Sequence, residues 1–239
     1  MGIMQLYGPE AFYTKIDSKC FKNGQICWIV SPYINEIPQI LDVERNKPEE
    51  HHEFKFDLRN VDPDNDFKPS ANRTLPIKYL SLESTEELII QKAKKRPAII
   101  ISSGLDVYPE IAKLLRERGK KHLQEDSLFL IPCYGVETED NRHGFPPEMV
   151  ARIRCLLYRQ FFYIPYHTPL KNDSIARLDR MQVIVGRHRA AIEPTQLCLS
   201  DDVFQIFLAQ FIFCISGIEE KEFSTIRSLV KEAYLPTKP

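Results

Sequence analysis

Short apolar runs, each closed off by turn-forming residues, punctuate this chain. Residues 24–34, GQICWIVSPYI, open on a glycine, carry β-branched and aromatic side chains, and run into Pro32. Arg96-Pro97-Ala98-Ile99-Ile100-Ile101-Ser102-Ser103 and residues 127–133, SLFLIPC, repeat the pattern. Runs of this length and composition predict buried strands. A further strand is predicted over residues 174–186, SIARLDRMQVIVG, where the apolar parity changes near Arg180. A β-bulge or tight bend there would reconcile the two halves. Gln160–Thr168 is aromatic and extended, with Pro165 marking an edge or bend.

Helical signals lie between and after the strands. Ser84-Thr85-Glu86-Glu87 is a helix-start pattern and predicts a helix through Lys95. Residues 107–122 place Val107, Ile111, Leu114 and Leu115 at helical spacing. Pro146-Pro147 opens a helix carrying Met149, Val150, Ile153, Leu156 and Leu157. Ser200 is the expected cap of a helix from Asp201 to about Ser216, apolar almost all round and therefore buried in the core or at an interface. Residues 219–234 form a last amphipathic helix. Residues 35–78 are polar and acidic, a long loop with short strands expected around Phe54–Leu58 and Leu75–Tyr79.

This order predicts an α+β fold, a small β-barrel with insertions, rather than a doubly wound sheet. A length of 239 residues suits one large domain or two small ones. Thirty-two Lys plus Arg against thirty-three Asp plus Glu give a net charge of −1, which excludes a protein basic throughout. The balance is uneven along the chain. Residues 35–90 carry thirteen acidic and seven basic side chains, −6; residues 151–199 carry eight basic and three acidic, +5. Such asymmetry points to an anionic partner for the basic part, or to two solvated faces.

Six cysteines, Cys20, Cys27, Cys133, Cys155, Cys198 and Cys214, include no C-x-x-C pair and mostly sit among apolar neighbours. They read as free thiols of a reducing compartment. No signal peptide is visible, and the longest apolar stretch, Phe204–Ile218, is short of a membrane span. The expectation is a cytoplasmic protein without membrane contact. With nine glycines, neither nucleotide-binding fingerprint can be placed, and H-E-x-x-H and G-x-S-x-G are absent. No cofactor and no metal are expected, and His143 and His167 have no partners at ligand spacing.

The strands in sequence resemble the MazF/PemK/Kid family of toxin endoribonucleases. That family opens on a Gly-x-x-x-x-Val strand, similar to Gly24–Val30. It continues with an Arg-Pro strand, here Arg96-Pro97, then an apolar strand with an internal proline, here Leu128–Pro132. An Asp-centred strand follows, here Ile175-Ala176-Arg177-Leu178-Asp179-Arg180, and a C-terminal helix, here Ser200–Ser216. The agreement covers about half the chain. It implies one SH3-like small barrel over residues 1–239, enlarged by insertions at about 35–93 and 104–126 and closed by C-terminal helices. It also implies cleavage of single-stranded RNA without metal, a homodimer with RNA across its groove, and an antitoxin protein as partner. Arg177 and Asp179 match the catalytic Arg and Asp of the Kid version. The family's first-loop His has loose counterparts in His51, His52 and Glu53.

Metal-free RNA cleavage needs a base for the 2′-hydroxyl, donors for the phosphorane and a proton for the leaving 5′-oxygen. Asp179 is the candidate base. Arg177, too weak an acid at a pKa above ~12, is assigned to charge stabilisation, with Arg96 as a second phosphate clamp. On a strand Arg177 and Asp179 would face the same side; they also read as a simple surface ion pair. Arg96 also ends the basic run Lys92-Lys94-Lys95-Arg96. Tyr134, followed by Gly135, is the candidate for base stacking, whereas Phe161, Phe162, Tyr163 and Tyr166 read as core aromatics. Arg180, Arg187 and Arg189 are candidates for the RNA backbone. The alternative is a non-catalytic nucleic-acid- or protein-binding domain on the same barrel. It is favoured by Cys133-Tyr134-Gly135 standing where the family has Thr or Ser.

Overall fold

The computed structural model describes residues 2–19, 21–45, 54–69, 73–74, 81–103, 108–120, 123, 127–185 and 191–234. In chain order, two short helices, α1 (Ile3–Leu6) and α2 (Pro9–Phe12), precede strands β1 (Tyr13–Lys15) and β2 (Gln25–Pro32). Then come β3 (Gln39–Arg45), β4 (Phe54–Asn60), β5 (Arg73–Thr74), β6 (Ser81–Leu82), β7 (Ile89–Ile90) and β8 (Ala93–Ser103). Helix α3 (Pro109–Glu117), β9 (Ser127–Gly135), α4 (Pro147–Arg154) and β10 (Phe161–Ile164) follow. The remainder is β11 (Ser174–Arg177), a 3-10 turn at Leu178–Arg180, β12 (Gln182–Val185), β13 (Ile192–Leu199), α5 (Asp201–Ser216) and α6 (Lys221–Tyr234).

Two compact units result: Met1–Val30 with Lys95–Pro239, and Ser31–Lys94. In the first, the strands join one sheet in the order β1-β13-β2-β8-β9-β11-β10, with β12 also on β9. The paired strands whose register is known run antiparallel, so the fold is α+β as the strand and helix patterns predict. Among the described residues no pairing joins β1 to β10, and the sheet is not a closed barrel.

The central strands bury both faces. Ile26, Ile99, Ile131 and Cys133 join a core that includes Phe12, Phe162, Phe204 and Phe207. Their neighbours along the strands, Cys27, Ala98, Ile100, Leu128 and Leu130, belong to a second cluster with Ile29 and Ile192. Successive strand residues point to opposite faces. Two-sided burial therefore explains why these strands are unbroken apolar runs in the sequence rather than alternating ones. Helix α5 lines the first core through Val203, Phe204, Ile206, Phe207 and Phe211. Phe207 meets Phe162 edge to face at 5.2 Å, the arrangement favoured by ring quadrupoles. The helix ends on Gly217, which donates the last helical hydrogen bond to the Phe213 carbonyl and, at a φ of 71°, turns the following chain out of the helix. Among the described residues no single helix is long and apolar enough to cross a membrane.

Several local expectations are corrected. Residues 84–95 form no helix. The Glu86 carboxylate accepts a hydrogen bond from the Glu83 N–H, and the Glu86 N–H donates to the Glu83 carbonyl. The capping pattern closes a turn instead, and Ile89–Ile90 then pairs with β3. Ser200 stands at the N-cap of α5, but its side chain makes no capping hydrogen bond; Asp201 and Asp202 do occupy the first turn. Strand β13 has no counterpart in the sequence reading, because Pro194 demotes the run. A register irregularity between Pro194 and Cys198 absorbs that proline against β2. Leu75–Tyr79 lies outside the described residues.

In the second unit, β3 and β4 form an antiparallel hairpin with β7 on the other edge of β3. Arg59 holds it to the following turn, bonding Asp42 at 2.5 Å and the two Asp66 oxygens at 2.6 and 2.7 Å.

Candidate functional site

The predicted strand over residues 174–186 is interrupted. Ala176 lies opposite Cys133 and Gln182 opposite Leu130. Six steps on one strand thus match three on β9, an excess of three taken up by the turn at Leu178–Arg180. An odd excess exchanges the faces of the strand, which is the parity change visible near Arg180. The turn is anchored: Leu178 is buried and its N–H donates to the Gln160 carbonyl at 3.0 Å. Arg177 and Asp179 flank that anchor.

Asp179 therefore sits on the turn and not on a strand, yet it meets Arg177. The guanidinium grips both carboxylate oxygens, Nε to Oδ1 at 2.8 Å and Nη2 to Oδ2 at 2.5 Å. The pair is partly shielded, with side-chain exposures of 20% and 35%. Such a fork is the strong form of an ion pair. Burial pushes the Asp179 carboxyl up, but the hydrogen bond and charge of Arg177, with help from Arg180, outweigh it and hold the group below its ordinary value. Arg177 is correspondingly raised, first by its hydrogen bond to Asp179.

Arg96 joins from β8. Ala98 pairs with Pro132, and two residues outward on each strand stand Arg96 and Tyr134. The Arg96 guanidinium carbon lies 4.2 Å from the centre of the Tyr134 ring. Those of Arg177 and Arg180 each lie 5.8 Å from it. Five of the sequence-predicted residues, Arg96, Tyr134, Arg177, Asp179 and Arg180, thus form one cluster. Three guanidinium groups and one carboxylate give these side chains a balance of +2. The aromatic ring offsets part of the mutual repulsion, because its negative face attracts cations within about 6 Å.

Tyr134, the candidate for base stacking, has the Arg96 guanidinium over its ring. Arg187 and Arg189, like His52 and Glu53, lie outside the described residues. His167 packs its ring against Tyr13 at 5.1 Å.

Two contributors, Arg159 and Gln210, were missed by sequence reasoning, and Phe161, read there as a core aromatic, adjoins the cluster. Phe161 pairs with Arg177 across β10 and β11, and its ring centre stands 5.1 Å from the guanidinium carbon. Its carbonyl is held at 2.6 Å by the buried Gln210 of α5. Arg159 lies at the C-terminal end of α5, near Gly217. Burial pushes the Cys214 thiol up, Asp179 adds to this and Arg159 opposes it, so the last turns of α5 lie beside the cluster. The lone arginine before an aromatic strand carried no motif, and a glutamine in an apolar helix was the only sign of Gln210.

Among the described residues no three His, Cys, Asp or Glu side chains gather to hold a metal ion.

The chain matches no protein-family model, no curated protein and no solved structure.

Proposed function

We propose that this protein is a hydrolase of the toxin–antitoxin kind, a MazF/PemK-like endoribonuclease that cuts single-stranded RNA without metal. In this reading the sheet of the first unit is an open, divergent form of the SH3-like small barrel, carrying insertions. The protein works in the cytoplasm as a homodimer, RNA-binding across its groove and checked by an antitoxin protein. The observation that carries the reading is the meeting of Arg96, Arg177, Arg180 and Asp179 around Tyr134. These residues come from three separate stretches, and they supply a candidate base and donors for the phosphorane.

Asp179 takes the proton of the ribose 2′-hydroxyl, and the 2′-oxygen forms a bond to its own phosphorus. The guanidinium groups stabilise the phosphorane, in which charge develops. The bond from phosphorus to the 5′-oxygen breaks, leaving a 2′,3′-cyclic phosphate and a 5′-hydroxyl. The 5′-oxygen takes its proton from solvent water and Asp179 returns its own to solvent, so the protons balance. Incubation with single-stranded RNA in EDTA tests this. Cyclic-phosphate ends are expected from the wild type, with cleavage down by roughly a hundredfold or more in Asp179→Asn and Arg177→Ala. No cleavage by a folded wild type overturns the nuclease reading.

A second reading is favoured by one observation: both Asp179 oxygens are already engaged by Arg177 and the carboxyl is held low, which suits a binding surface better than a base. Here the cluster binds single-stranded RNA and does not cut it. Binding without products in the same assay supports this alternative.

A further inference from the structure

Resting on the reading of the cluster as an RNA site, we infer that the Asp179 carboxylate is an internal stand-in for phosphate, a latch on Arg177 that a backbone phosphate of the RNA displaces. Carboxylate and phosphate present the same pair of oxygens to a guanidinium fork. Asp179 occupies that fork through both oxygens, at 2.8 and 2.5 Å. The carboxylate is two residues from Arg177 and on a turn rather than in a strand, so a side-chain rotation releases it without breaking the sheet. Leu178, between the two, stays pinned in the core and keeps both backbones in place.

The local charges favour the exchange. Arg96 and Arg180 reach the same ring as Arg177, so the positive charge gathered there draws a polyanion toward the fork that Asp179 fills. The released carboxylate is then left beside bound RNA, no longer tied up by Arg177, in the state a proton acceptor needs. In the absence of RNA the latch keeps the Arg177 fork filled.

The test separates this inference from the nuclease reading by using an RNA that cannot be cut. A fluorescent 2′-O-methyl uridine decamer keeps every phosphate but has no free 2′-hydroxyl to attack. Its binding is followed by anisotropy in the wild type, Asp179→Asn, Arg177→Lys and the double variant, each checked for folding by thermal melting. Asp179→Asn is expected to bind the decamer about tenfold more tightly than the wild type, because the competing anion is gone. In the Arg177→Lys background, where no fork exists to free, the same substitution is expected to change affinity by roughly twofold or less.

Equal tightening in both backgrounds would mean a general charge effect and would overturn the latch. Unchanged or weaker binding in Asp179→Asn overturns it as well. Either result leaves the EDTA cleavage assay free to support the nuclease. No binding by any of the four proteins overturns the latch and the RNA-site reading together.

Discussion

The guanidinium of Arg96 lies over the ring of Tyr134, 4.2 Å from its centre. Two more arginines approach the same ring, so the aromatic face holds cations together that would otherwise repel. Tyr134→Phe keeps this face and is expected to bind single-stranded RNA within about twofold of the wild type. Tyr134→Leu removes it and is expected to weaken binding by roughly tenfold. Anisotropy titrations at fixed salt distinguish the two; equal loss in both variants would assign the effect to the hydroxyl instead.

The pairing of Asp179 with Arg177 sets a pH dependence. Its carboxyl is held below the ordinary value in the folded chain. Its stabilising contribution is therefore complete well above the unfolded value of about 3.9. It is lost as pH falls through the lower folded value. Asp179→Asn is expected to be less stable than the wild type at pH 7 by about 1 kcal/mol or less, given the partial exposure of the pair. The two proteins converge once the pH has dropped below the folded value. Melting curves taken from neutral pH downward measure this, and a gap that widens in acid contradicts it.

Gln210 is 1% exposed and donates to the carbonyls of Tyr158 and Phe161. Gln210→Leu leaves those carbonyls without a donor from α5 and is expected to cost about 1–3 kcal/mol in denaturant unfolding. Phe161 stands against Arg177, so RNA binding should weaken as well. Full stability in the variant would show that the two carbonyls are satisfied in another way.

Burial pushes the thiols of Cys27 and Cys133 far above their ordinary value. The thiolate is the reactive form. Neither cysteine is expected to take up iodoacetamide at pH 8 while the protein is folded, and both should react in denaturant. Peptide mass spectrometry reads each site, and labelling of either residue in the native protein would contradict its burial.

The strand runs around Ile26–Ile29, Ile99–Ile101 and Leu128–Ile131 were legible in the sequence because burial on both faces leaves an unbroken apolar signature. Helix α5 was legible from its long apolar run after Ser200, although it buries one side, through Val203, Phe204, Ile206, Phe207, Gln210 and Phe211, and leaves Ile215 exposed. Strand β13 was not, since a proline inside a strand is tolerated only through a local irregularity that sequence patterns do not display. The helix expected after Ser84 failed because the same side-chain bond that starts a helix can close a turn. Arg177 and Asp179 were recognisable as a pair, but on a mistaken premise: the anchored turn, and not strand periodicity, brings them together. The contact of the Arg96 guanidinium with the Tyr134 ring depends on strand pairing between residues far apart in the chain, which no local pattern contains.

The three surplus residues opposite β9 have one more consequence. Before them, Ile175 and Ala176 belong to one apolar cluster; after them, Ile184 packs on the other. The turn is the seam along which a single stretch of chain is stitched to two separate interiors. A substitution that softens either interior tugs on that seam from one side. Arg177 and Asp179 stand at that seam, so the geometry of their ion pair depends on the packing of both interiors.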